Sequence, residues 1–86
     1  MRIVSLRIGD KDIDIATADL RLVYGTRTSW SVVVAFADWE SLDGAEPLEL
    51  TLVTADGVTR RGTANLSWTN QQAASFLGTG ELAPTP

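Results

Sequence analysis

Carboxylates are the residue type in this sequence whose spacing comes closest to a chemical motif. Asp10, Asp12 and Asp14 recur at every second position, as ligands do at the start of a calcium-binding loop. The pattern then fails, because Ile15 stands where that loop needs glycine and Arg21 stands where it needs a bidentate glutamate. The spacing therefore predicts an acidic, solvated hairpin face, and it leaves open whether the three aspartates bind a metal.

A second acidic segment, residues 38–46, carries the carboxylates that glycosidic chemistry uses in pairs. A chain of 86 residues offers little room for a substrate cleft, so we expect no glycosidase. The sequence contains no cysteine to act as a nucleophile and no histidine to act as a base for its serines, so we expect no nucleophilic catalysis. Gly78-Thr79-Gly80 is too short for a phosphate-binding loop. We therefore predict a protein that is not an enzyme, with no catalytic residue and no cofactor, and we assign no metal ligand beyond the open question of the three aspartates.

The three tryptophans remain as candidates for binding. Trp30 and Trp68 lie in phase with apolar residues of their segments, which predicts that both are buried. Trp39 lies within the acidic segment 38–46 and is the tryptophan that we expect to be exposed. An exposed tryptophan beside carboxylates suits a protein contact, and a carbohydrate- or peptide-binding module that uses Trp39 is the second function to consider.

Composition narrows the classes of partner. The net charge of -4 argues against nucleic acid as a partner. No apolar run approaches the roughly 18 residues of a membrane span, and the first residues lack the long apolar stretch of a signal peptide. We therefore expect no membrane partner, synthesis in the cytoplasm, and no small-molecule ligand. So small a core gains stability from packing against other copies or a larger assembly.

The elements that must position these residues are β-strands. In residues 29–37, Trp30, Val32, Val34 and Phe36 alternate with smaller side chains, which predicts a central strand. Six to seven such segments predict an all-β fold, either a small antiparallel β-sandwich or a barrel, with one short helical turn near residues 38–44. Residues 1–83 form the predicted single domain. Residues 84–86 form a predicted flexible tail, because prolines disfavour strand pairing.

Finer expectations concern the glycines and aromatic residues. Residues 16–18 read as a connection between strands, and Tyr24 and Trp30 flank the next turn as a predicted inward pair. Gly62 predicts a bulge or bend in a long strand. Residues 73–82 read as the last strand, whose Gly78 and Gly80 leave a bare strip on which either another backbone or a large side chain such as Trp68 packs.

Several apolar residues fall on the outward phase of their strands: Ile3, Val23, Val33, Val53 and Leu77. In a lone sandwich these side chains would face water, so we expect cover by another subunit or closure into a barrel. The predicted partner contacts are Ile3, Val23, Trp39, Val53 and Leu77.

The C-terminal half also resembles small all-β modules of tailed-bacteriophage virions, such as capsid decoration and tail proteins. The features that carry the resemblance are the hairpin at Asp56-Gly57, the strand containing Gly62, and Phe76-Leu77-Gly78-Thr79-Gly80-Glu81-Leu82. The resemblance implies many copies on a virion, contacts to itself and other virion proteins through strand edges and loops, and no catalysis. It carries over no functional residue and leaves capsid and tail both open. A structural or assembly protein is thus the first expected function.

Overall fold

The computed structural model describes residues 1–24, 29–38, 40, 42 and 47–85. Within these residues eight strands form: β1 (Ile3–Ile8), β2 (Lys11–Ile13), β3 (Ile15–Val23), β4 (Ser29–Phe36), β5 (Leu48–Thr54), β6 (Thr59–Thr69), β7 (Ala73–Gly78) and β8 (Ala83–Thr85). The same residues contain no helix, and so none long and apolar enough to span a membrane. Most of the helical turn predicted near residues 38–44 lies outside the described residues.

The strands form one antiparallel sheet in the order β2-β1-β5-β6-β7-β4-β3, with β8 pairing β6 off this path. The sheet curls until β1, the strand next to the β2 end, approaches β3 at the other end, where Arg2 bridges Asp19. Beside that bridge the Met1 amine donates to the Leu20 carbonyl at 2.7 Å, and the Leu20 N–H donates to the Met1 carbonyl at 2.7 Å. The contact is too short to close the sheet into a barrel. The predicted all-β antiparallel class is confirmed, with eight strands in place of six to seven.

The core lies inside the curl and follows the alternation along β4. Val32 and Val34 are buried on the inward side, and Phe76 of β7 packs beside them without exposure to solvent. The central strand predicted from residues 29–37 is therefore confirmed. The buried apolar side chains are Ile3, Leu6, Ile13, Ala18, Leu20, Trp30, Val32, Val34, Phe36, Leu50, Leu52, Ala64, Ala74 and Phe76.

A β-bulge in β1 reverses the predicted direction of its first apolar residue. Ile3 pairs with Thr54 and Ser5 pairs with Val53, so Val4 is the extra residue on β1. Ile3 and Leu6 are three positions apart, so a regular strand would point them to opposite sides of the sheet. The bulge lets both point into the core. The outward direction predicted for Ile3 is wrong, because its side chain is 2% exposed.

A second bulge lies in β6, where Leu66 pairs with Phe76 and Trp68 pairs with Ser75. Ser67 is the extra residue, and it turns Trp68 away from the core. The burial predicted for Trp68 is therefore wrong. Of the bulge or bend predicted at Gly62, the bulge is wrong, because the pairing of β6 with β5 runs without a shift from Thr59 to Ala64. The bend stays a prediction.

A third bulge lies at Ala16, between Ile15, which pairs with Phe36, and Thr17, which pairs with Ala35. The predicted connection at residues 16–18 is wrong, because these residues belong to β3. The bulge changes the inward phase of β3, which is how Ile15 packs against the core and Ala18, three positions later, is buried in it.

Trp30 explains why glycines are needed on two neighbouring strands. A methyl group added at Gly78 would overlap its indole ring, and one added at Gly62 would lie 2.9 Å from it. The indole Nε1 donates a hydrogen bond to the Gly80 carbonyl at 2.8 Å. Of the two glycines expected to leave a bare strip on the last strand, Gly78 carries the ring of Trp30 and not that of Trp68. A methyl group at Gly80 would meet no heavy atom within 4 Å, so the expected strip is confirmed at Gly78 and wrong at Gly80.

The segment after Gly78 departs from the predicted last strand. Residues 79–82 leave the sheet beside Trp30, and Ala83–Thr85 then return to pair with β6 as β8. The tail boundary predicted at residue 84 is therefore wrong. Pro84 is tolerated because β8 is a short outer strand, where a missing N–H removes no bond from the interior of the sheet.

The predicted hairpin at Asp56-Gly57 is confirmed, and a polar network closes it. The buried Thr54 hydroxyl donates to the Asp56 carboxylate, and the Arg60 guanidinium donates to that hydroxyl. The Val58 N–H also donates to Asp56, at 3.2 Å. The Thr54 hydroxyl first, then the Val58 N–H and the Arg60 charge, hold the pKa of Asp56 below its ordinary value.

Acid should therefore weaken the fold through this turn. A carboxyl whose pKa is lower in the folded state stabilises above its unfolded pKa of about 3.9, and the stabilisation is lost as pH falls through the folded pKa. We expect Asp56→Asn to lower the urea midpoint at neutral pH and to reduce the further loss in acid. Thr54→Ser, which keeps the hydroxyl, is the control and should retain that loss. An acid loss in Asp56→Asn equal to the wild type would contradict the assignment.

Candidate functional site

The most conspicuous apolar surface lies on the side of β3, β4, β6 and β7 that faces away from the core. Val33 is 58% exposed, and Leu77 and Trp68 are each 54% exposed. We call this side the outer face and define it by Asp19, Arg21, Ser31, Val33, Asn65, Trp68, Ser75 and Leu77. Large apolar side chains that share one exposed patch are typical of a surface that binds a protein.

Strand alternation places two of these residues, and the β6 bulge places the third. Val33 follows the buried Val32, and Leu77 follows the buried Phe76. Ser75 pairs with Val33 on one side and with Trp68 on the other. Leu77 is diagonal to both, within about 7–8 Å as cross-strand diagonals are. The three side chains therefore form one patch around a small serine.

A groove of about 730 Å³ lies on the part of the outer face formed by β3, β4 and β7. The half-buried Ser31 and Ser75 line it with small side chains, and Val33 and Leu77 add larger apolar ones. Met1 and residues 19–22 line it from the β3 side. A partner side chain can enter at the serines and contact the apolar residues beside them.

Two opposite charges stand at the β3 border of this groove. Asp19 and Arg21 are exposed two residues apart on β3, so they point to the same side of the sheet. Among the described residues neither has an ion-pair partner. An acid and a base are thus both available to a partner at the same border.

The predicted contact residues are not all brought together. Leu77 and Val23 are exposed as expected, with Leu77 on the outer face and Val23 at the end of β3. Val53 is half-buried on β5, away from this face, and Ile3 is in the core. Trp39 lies outside the described residues, so the contact expected of it remains a prediction.

Trp68 is the surface residue that the sequence reasoning missed. Its segment alternates in phase with Ala64 and Leu66, and nothing local marks the extra residue at Ser67. The expected inward pair of Tyr24 and Trp30 is also wrong. Tyr24 lies beyond the end of β3 and is exposed, and Trp30 pairs with Leu22.

The aspartates of the first hairpin are solvated as the sequence predicts. Asp12 pairs with Arg7 at 3.1 Å across the hairpin, where both side chains are exposed. In residues 1–24, 29–38, 40, 42 and 47–85, no three acidic side chains converge in a way that could hold a metal ion. Among these residues, Asp10, Asp12 and Asp14 of the hairpin therefore do not form such a three-carboxylate group.

A comparison with known protein families, with curated proteins and with solved structures finds no match to this chain. Its function therefore has to be argued from its own surface. The outer face is the surface that combines exposed apolar side chains, a groove and two opposite charges without an ion-pair partner in the described part of the chain.

Proposed function

We propose that this chain is a non-enzymatic structural protein that packs in many copies through its outer face. The observation that carries the proposal is the patch of Val33, Leu77 and Trp68, three large apolar side chains exposed side by side on a small domain. Burial of apolar surface is the main favourable contribution in most protein–protein association. Covering this patch in an assembly would add to the limited stability that the core of a small domain provides.

The edge of the sheet adds a second contact to this proposal. β3 is the last strand in the sheet order and runs for nine residues. On its free side, the described contacts are those of Met1 and Arg2 near Asp19 and Leu20. Unpaired backbone groups along such an edge favour pairing with another chain. The outer face and the β3 edge are contiguous, so a neighbouring copy can use both.

The setting that we propose is the virion of a tailed bacteriophage, as a capsid decoration or tail component. Support comes from the resemblance carried by Asp56-Gly57, Gly62 and residues 76–82, and from the apolar outer face, which suits a many-copy lattice. In this setting the partners are further copies of the chain and other virion proteins.

Self-association tests the proposal directly. We expect the native mass measured by light scattering to exceed that of one chain and to grow with concentration. Leu77→Asp should reduce the mass to one chain, because it places a charge in the middle of the patch. Val4→Asp is the matched control, since Val4 is equally exposed, at 54%, but lies in the β1 bulge. A wild type that stays monomeric, or a Leu77→Asp variant that associates normally, would refute the proposal.

A carbohydrate- or peptide-binding module is the second candidate. The sequence assigns this role to Trp39, and the exposed Trp68 beside Asn65 and Ser75 on the sheet surface also favours it. If the light-scattering mass stays at one chain, tryptophan fluorescence against a panel of glycans and peptides becomes the deciding measurement. A shift abolished by Trp68→Ala would identify this module.

A further inference from the structure

We propose that the partner of the outer face is a second copy of this chain, stacked on it about a twofold axis that runs across the strands. This inference rests on the proposed function and specifies one of its two contacts. A twofold pair is closed and covers the outer face, so the free edge of β3 is left to join pairs into a many-copy assembly. It follows from two rows of residues that the strand register places on the outer face. The first row is Asp19, Val33, Ser75 and Trp68, and the second row is Arg21, Ser31, Leu77 and Asn65.

Backbone pairing defines both rows. In the first row, Asp19 pairs with Val33, Val33 with Ser75, and Ser75 with Trp68. In the second row, Arg21 pairs with Ser31, Ser31 with Leu77, and Leu77 with Asn65. The rows are two residues apart along the strands, which is about 7 Å. They therefore run side by side from β3 to β6 across the whole outer face.

A twofold axis lying between the two rows exchanges them. Rotation about it places the first row of one copy over the second row of the other, and the same contacts occur twice. At the β3 border, Asp19 of each copy then meets Arg21 of its partner. The two exposed charges that have no ion-pair partner among the described residues thus satisfy each other across the interface.

The same rotation places each large side chain over a smaller one. Val33 lies over Ser31 of the partner copy, and Leu77 lies over the partner copy's Ser75. At the β6 border, Trp68 lies over the partner copy's Asn65. Packed layers interdigitate without voids when large side chains of one layer face small side chains of the other.

Other twofold arrangements lose the pairing of opposite charges, the facing of large and small side chains, or both. An axis lying along the first row would place Asp19 against Asp19 and Val33 against Val33. An axis along the strands would keep Val33 over Ser75 but would bring Asp19 against Trp68, which leaves both charges unpaired. The axis across the strands is therefore the one that satisfies charge and size together.

Charge exchange at the β3 border tests this geometry. D19R puts two arginines on each copy and R21D puts two aspartates, so each variant alone should self-associate at least about tenfold more weakly than wild type. An equimolar mixture of D19R and R21D should recover association as a mixed pair. The double variant D19R/R21D should recover it within one protein. Sedimentation velocity measures all four samples, and Asp10→Arg, the same charge change in the β1–β2 turn, should associate as wild type does.

Each outcome bears on the proposal. Recovery in the mixture and in the double variant supports the twofold pair. If both single variants associate like wild type while Leu77→Asp does not, the face is used in another arrangement, and the twofold axis is refuted while the proposed function stands. Single variants that dissociate without recovery in the mixture also refute it. A monomeric wild type refutes this inference and the proposed function together.

Discussion

Gly78→Ala is expected to destabilise the fold by about 3 kcal/mol, at the upper end of the range for an overpacked core. A methyl group at this position would overlap the indole ring of Trp30, which is buried and also held by its hydrogen bond to Gly80. Neither group has room to move, since Gly62 also lies against the same ring. A loss of this size is a large part of the roughly 5–15 kcal/mol by which domains are stable. Urea unfolding followed by circular dichroism measures it.

Gly80→Ala is the matched control for this prediction. A methyl group there would meet no heavy atom within 4 Å, so we expect a change within about 0.5–1 kcal/mol. A second control places Gly78→Ala in a Trp30→Leu background, where the added methyl no longer meets an indole and should cost less than in wild type. Equal stability of Gly78→Ala and Gly80→Ala would show that Trp30 does not pack on Gly78.

Phe76→Ala is expected to cost about 3–5 kcal/mol, as large-to-small changes in cores do. Phe76 is fully buried in the middle of the core, where it pairs with Val32 on one side and Leu66 on the other. The cavity left behind cannot collapse easily, because strands on both sides hold the backbone in place. If the domain lies near the lower end of the usual stability range, about 5 kcal/mol, this variant should retain only about 0–2 kcal/mol and should unfold at low urea concentration.

A substitution at Leu77, the residue after Phe76, distinguishes an effect on assembly from an effect on the stability of the single chain. Leu77→Ala removes a side chain of similar hydrophobicity from the same strand, but from the outer face. It should change the free energy of unfolding of the single chain by less than about 1 kcal/mol and should weaken self-association. Urea unfolding at low concentration and light scattering at high concentration measure the two effects. A Leu77→Ala variant as unstable as Phe76→Ala would mean that the outer face is part of the core.

Local patterns in the sequence determined the class of fold. Period-two alternation in β4 and the turn residues at Gly9 and Gly57, both with positive φ, suffice to predict antiparallel hairpins. These signals are local, because alternation reflects the geometry of a single strand and a turn depends on its own few residues. Composition likewise excludes histidine and cysteine chemistry, because neither residue occurs in the chain.

The direction of individual side chains was decided by pairing between distant strands. The bulges at Val4, Ala16 and Ser67 arise where one strand has a residue more than its partner, and a single strand carries no record of its partner's length. Each bulge shifts the phase by one residue, which exchanges inside and outside. This is why alternation predicts Ile3 outside and Trp68 inside, and why both predictions are wrong.

In the candidate site, too, local sequence patterns predict part of the arrangement and the tertiary structure decides the rest. Alternation alone placed Val33 and Leu77 on the outward phase of their strands, and the structure leaves both exposed. That they lie together with Trp68, and that Asp19 and Arg21 border them, follows from the sheet order β6-β7-β4-β3. This order joins residues that are distant along the chain, and only the tertiary packing of the curled sheet determines which of them become neighbours.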